Sequence, residues 1–174
     1  MIDYADVRVR YQLAFSLGEL PVTPQRRAAI FALAQKDSAD PWMRLALLSS
    51  LGNDRALTFA ALAADGPFAR SSAGQAMLAE IARQIGSSGA QAEIAVLLKT
   101  IAQLPPDRQT LAGGWLQQLS VGLRKSGAAL RGQLAKIDPQ SPELLEHLLT
   151  AAPNTAAERT AEPATRAAAV QMIE

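Results

Sequence analysis

The single histidine, His147, stands four residues after Glu143, so a helix through both would put a carboxylate and an imidazole on one face. Such a pair could hold a metal ion. Two ligands from one helix leave a tetrahedral zinc site half built, however, and no partner cluster is evident elsewhere in the chain. A surface Glu–His pair is the plainer reading. There is no cysteine, which removes thiolate catalysis, disulfides, zinc–cysteine sites and covalent haem attachment through Cys-x-x-Cys-His. A Ser-His-Asp assembly is defined by geometry and cannot be argued from spacing. Gly86-Ser-Ser-Gly89 lacks the Lys-Ser/Thr that completes a phosphate loop, and reads as a flexible turn between helices.

Binding surfaces fare little better. Trp42 follows Pro41 at a helix start and could anchor a ligand, but packing between helices is the favoured reading for so large a ring. Trp115 lies beside Gly113-Gly114, which would let another helix approach, and packing is favoured there too. Both residues are kept as candidates for an interaction surface. Arg8, Arg10, Arg26, Arg27, Arg44 and Arg55 make the N-terminal half loosely basic. Asp3, Asp6, Asp37, Asp40 and Asp54 are interleaved with them, which favours a salt-bridged surface over a nucleic-acid face. The whole chain carries 17 Lys and Arg against 16 Asp and Glu, so there is no net field to draw in an anionic polymer or membrane.

The elements that would carry these residues are helices. Apolar residues make up 49% of the 174, alanine and leucine dominate, and both have low helix cost. Helical spacing predicts a first helix over 6–18 with Val9, Leu13, Leu17 and Leu20 inward. Thr23 and Pro24 open a second that runs to about Lys36, burying Ile30, Phe31, Leu33 and Ala34. Asp40 and Pro41 open a third, which ends at 52–54. Further helices are predicted over 55–64, from Ser71 or Ser72 to Ile85, over 91–104 and 108–125. Beyond these come 130–137, a helix capped by Ser141 that runs to about Leu149, a loose stretch around 151–161 and a last helix from Glu162. No apolar run reaches the roughly 20 residues that cross a bilayer. Met-Ile-Asp-Tyr-Ala-Asp lacks the basic and apolar regions of a signal peptide.

One element recurs. Asp6-Val-Arg-Val-Arg10-Tyr-Gln-Leu-Ala-Phe-Ser-Leu-Gly18 returns 34 residues later as Asp40-Pro-Trp-Met-Arg44-Leu-Ala-Leu-Leu-Ser-Ser-Leu-Gly52, with six of thirteen positions identical. A shorter echo, Glu162-Pro-Ala-Thr-Arg166, lies 122 residues after Asp40, a distance that three units of about 41 residues would fill. The acid suits an N-cap, and the arginine one turn later could pair with it or with the acid of the next unit. Asp6, Arg10, Asp40, Arg44, Glu162 and Arg166 are therefore expected to form a structural ladder that fixes register.

The acid, arginine, apolar helix and closing glycine resemble the second helix of HEAT repeats. Residues 9–20 and 40–51, continued by 111–116 and 122–127, look like the HEAT segment of large planctomycete-type secreted proteins labelled membrane-bound dehydrogenases or haem-binding c-type cytochromes. In those proteins a propeller-like sugar-dehydrogenase-type domain and a cytochrome module flank the helical array. None of the residues that carry their chemistry is found here. The resemblance thus implies a connecting scaffold cut from a larger extracytoplasmic redox protein.

The expected molecule is all-α: a right-handed α-α superhelix of stacked HEAT-like hairpins, about ten helices in one domain over 1–174. It is expected to be non-catalytic and to need no cofactor or metal. Its expected partners are proteins or neighbouring domains, with neither nucleic acid nor membrane insertion, and its uncapped ends are expected to self-associate. The alternative is a HEAT-like nucleic-acid-binding or DNA glycosylase-type protein. A HEAT-like lyase acting on a tetrapyrrole is weaker still, since His147 would be its one available imidazole.

Overall fold

The computed structural model describes residues 3–123, and all regular structure among them is helical. Eight α-helices follow in order: α1 (Val7–Glu19), α2 (Pro24–Asp37), α3 (Pro41–Ser49), α4 (Arg55–Ala64), α5 (Gly66–Arg70), α6 (Ser72–Ser88), α7 (Gln91–Ala102) and α8 (Pro106–Leu123). One 3-10 turn, Gly52–Asp54, precedes α4. The expected helices over 130–137 and 141–149, the stretch around 151–161 and the third copy of the repeated element lie outside the described residues.

Helix starts follow their capping chemistry. Asp6 accepts from the Arg8 N–H at 2.9 Å, Thr23 from Arg26 at 3.1 Å, and Asp40 from Trp42 at 2.8 Å. Pro24 and Pro41 occupy first turns, where the missing N–H has no helical partner to lose. Two boundaries differ from expectation. The helix over 55–64 ends at Ala64 as expected, but residues 66–70 form a further short helix, α5, whose start is capped by Asp65 accepting from the Phe68 N–H at 3.1 Å. Gly86 and Ser88, read as a flexible turn, are the last turn of α6. The chain reverses only at Gly89, whose φ of 65° is the left-handed conformation glycine tolerates.

The described chain belongs to two compact units, one running to Ile81 and one starting at Ala82, so the division falls inside α6. In the first unit α1 packs beside α3, and α2 packs on both. Ser50, just past α3, donates to the Ala14 carbonyl at 2.7 Å and sits against Gly18, so α1 and α3 run parallel with their C-terminal ends level. Asp37, at the end of α2, meets Arg10 at the start of α1, so α2 runs antiparallel to both. Arg27 and Gln35, near the two ends of α2, reach Asp54 and Asp65 at the two ends of α4. Helices α2 and α4 are therefore parallel neighbours in a second layer.

Packing explains where the inward face of α1 falls. Its buried stripe is Arg10, Ala14 and Leu17. Val9 and Leu13 are half-buried at its edge, and at Gly18 a Cβ would be crowded against Ser50 at 3.0–3.2 Å. Leu20 is exposed: it is the C-cap, with ψ of 150°, and its side chain has left the helical face. Ile30, Leu33 and Ala34 are buried as the spacing predicts, as are Leu47 and Leu51, while Phe31 is half-buried.

In the second unit Ile94, Leu97, Leu98 and Ile101 form the buried face of α7. Ser88 ties its start to the end of α6, donating to the Ile85 carbonyl at 2.8 Å and accepting from the Ala90 N–H at 3.3 Å. Helix α8 crosses α6 at Gly86 and Gly122. A Cβ on either would meet the main chain of the other helix.

Candidate functional site

Polar side chains of the first unit gather at two junctions. At the first, Arg10 is almost buried, 8% exposed. Its Nε and Nη2 donate to the two Asp37 carboxylate oxygens at 2.7 and 2.8 Å, and Nη1 donates to the carbonyls of Tyr4 and Ala5 at 2.5 and 2.9 Å. The hydrogen bond to Asp37 holds the guanidinium above its ordinary pKa, against the opposing effect of burial. A raised arginine pKa contributes stability fully below the ordinary guanidinium range and loses it only as pH climbs through the higher folded value, so this side of the pair is constant through neutrality.

The repeated element therefore works differently from a ladder. Asp6 and Asp40 both cap helices, while the carboxylate that meets Arg10 is Asp37. Arg44, the counterpart of Arg10, donates to the Ser38 carbonyl at 2.7 Å, as Arg10 does to Tyr4 at the same six-residue separation. What repeats is an arginine reaching back to carbonyls that lead into its own helix. Glu162 and Arg166 lie outside the described residues.

The second junction joins four helices. Arg26, 4% exposed, donates from Nε to the Leu17 carbonyl at 2.6 Å and from Nη2 to the Ser50 carbonyl. Those carbonyls terminate α1 and α3, where the helix dipoles favour a cation. Asp54, 1% exposed, accepts from Arg27 Nε at 2.9 Å and Nη2 at 2.8 Å, and lies 3.9 Å from Arg26 Nη1. The hydrogen bond to Asp54 raises the Arg27 pKa, again against desolvation. Among the described residues, the buried Arg26 Nη1 and Thr58 Oγ1 make no hydrogen bond.

Chemically, these junctions bind helices together. Asp54 is fully engaged by Arg27, and neither junction contains a histidine, a cysteine or a second free acid that could shuttle a proton. Among the described residues no group of three His, Cys, Asp or Glu could hold a metal ion, and no helix is long and apolar enough to cross a membrane. His147 and Glu143 fall outside those residues.

The two tryptophans part company. Trp115 is 2% exposed, in keeping with packing. The space beside Gly114 is open, and a close helix approach in α8 occurs at Gly122. Trp42 does not pack between helices: it is 69% exposed. On α3 the buried positions are Met43, Ala46, Leu47 and Leu48, which leaves Trp42, Leu45 and Ser49 on the outer side. Leu45 is 57% exposed. On the parallel neighbour α1, Phe15 is exposed and touches Tyr11 edge-on, ring centroids 5.0 Å apart. With Ser50 set between Ala14 and Gly18, Leu45 falls level with Tyr11 and Trp42 with Arg8.

The partners Asp37 and Asp54 were not identified from sequence, because their arginines stand 27 residues away, outside any local spacing rule. One signal was present. Arg26 and Arg27 occupy the first turn of α2, the wrong end of the helix dipole for a cation, so each needs compensation from elsewhere in the fold. Searches against family models, curated proteins and solved structures find no match to the chain.

Proposed function

We propose that the chain is a non-catalytic scaffold, a stretch of right-handed α-α superhelix built from HEAT-like units, that docks other proteins or neighbouring domains of a larger extracytoplasmic redox protein. The observation that carries this reading is the exposure of Trp42 and Leu45 on one side of a helix whose other side is buried. Trp42 and Leu45 stand one turn apart, so their exposure makes an adjoining apolar surface of the kind that marks interaction sites, and tryptophan is enriched among the anchors of protein–protein contacts. The parallel pairing of α1 with α3 and of α2 with α4 supports the repeat reading, since like helices of successive units would stack in that way.

The arginines weigh against the nucleic-acid alternative. Arg10 and Arg26 are buried and Arg27 is bound to Asp54, so half of the six that made this region look basic serve the interior.

Photo-cross-linking tests the proposal. A benzophenone amino acid is placed at 42, at 45, or at the exposed controls Lys36 and Gln103, and the full chain is irradiated in its native cells. Adducts to protein concentrated at 42 and 45 are the expected result. Equal labelling at all four sites, or adducts to nucleic acid, would sink it.

A further inference from the structure

We propose that Asp65–Gly66 is a site of spontaneous isoaspartate formation, and that the side-chain amide of Gln35 sets its rate. Asp-Gly occurs once in the whole sequence. The glycine matters because the reaction is attack by the following main-chain nitrogen on the aspartate side chain, and glycine has no side chain to obstruct it. Every other aspartate among the described residues is followed by a larger residue, or, at Asp40, by a proline without an N–H.

The step balances without any further reagent. Once the Asp65 carboxylate has taken a proton from solvent, the Gly66 nitrogen bonds to the side-chain carboxyl carbon, the carbon–hydroxyl bond breaks, and the hydroxyl leaves with the amide proton as water. The resulting five-membered succinimide takes up one water. Opening at one carbonyl restores aspartate. Opening at the other routes the main chain through the side-chain methylene and yields isoaspartate.

The surroundings of this dipeptide both permit and restrain the reaction. Asp65 and Gly66 are half-buried and within reach of water. The Gly66 N–H is at the first position of α5, where a helix offers it no acceptor. Restraint comes from the carboxylate's two hydrogen bonds: Oδ1 accepts from the Phe68 N–H at 3.1 Å, and Oδ2 accepts from Gln35 Nε2. Rotating the carboxyl toward the Gly66 nitrogen breaks both. The Phe68 bond is part of the α5 cap, whereas the Gln35 bond comes from an exposed side chain on α2, so it can be removed alone. Isomerisation would lengthen the main chain by one carbon at the cap of α5 and undo that cap.

The test is ageing of the full-length protein at neutral pH, followed by fragmentation of the tryptic peptide 56–70 to distinguish isoaspartate from aspartate. Gln35→Ala and Gln35→Met should accumulate isoaspartate at 65 about fivefold faster than the parent, the factor carried by one lost hydrogen bond. Gly66→Ala should slow it several-fold, since a methyl group obstructs the attacking nitrogen, and the φ of Gly66, outside the left-handed range, does not itself demand glycine. Circular dichroism showing folded Gln35 variants separates release of the carboxylate from general unfolding. Equal rates in the parent and both Gln35 variants would overturn the proposal, as would an undiminished rate at 65 in Gly66→Ala.

Discussion

Asp54→Ala is expected to lower the free energy of unfolding by about 3–5 kcal/mol, the range for removing one partner from a buried ion pair. The carboxylate is 1% exposed and is the counter-charge to Arg27, with Arg26 close by. Without it Arg26, itself 4% exposed, keeps only the carbonyls of Leu17 and Ser50 against a full buried charge. Asp54→Asn should be nearly as damaging, because it keeps the shape and discards the charge. Urea unfolding followed by circular dichroism gives the value, and adding salt should change it little, since buried pairs are poorly screened. A loss below about 1 kcal/mol, typical of exposed pairs, would mean that the junction is solvated.

The second large effect separates two glycines that helix propensity treats alike. Replacing an interior glycine by alanine should gain up to about 1 kcal/mol. At Gly114 a methyl group meets nothing within 4 Å, so Gly114→Ala should show that gain. At Gly86 the methyl group would overlap the Leu119 carbonyl oxygen and stand 3.0 Å from the Leu123 nitrogen. Both obstacles are main chain, so no side chain can swing aside and the helices must separate. Gly86→Ala is therefore expected to lose about 1–3 kcal/mol, the cost of overpacking. Thermal unfolding of the two variants should give shifts of opposite sign, and a stabilised Gly86→Ala would refute the close crossing of α6 and α8.

Much of the fold was legible because helix starts are local. Asp6, Thr23 and Asp40 cap where spacing put them, since a cap needs only its own next few residues. Gly86 was misread because a glycine required for a tight crossing looks, in sequence, like one that ends a helix. Trp42 was misread because ring size argues for burial, while the side of α3 on which it falls argues against. The arginine junctions depend on chain segments brought together from a distance, which periodicity does not reveal.

Asp37 has a consequence for folding. The duplicated element gives the chain two similar helices, and one could settle in the other's place. The residue 34 positions after Asp37 is Ser71, so the acid was not duplicated along with the arginines. Only Arg10 meets a carboxylate at this junction, and Arg44 reaches a carbonyl. A helix α1 settled in the place of α3 would take Arg10 away from Asp37 to a position whose own arginine meets a carbonyl. One unrepeated charge thus tells the positions of two similar helices apart, which weighs against the slipped pairings open to neighbouring elements of like sequence.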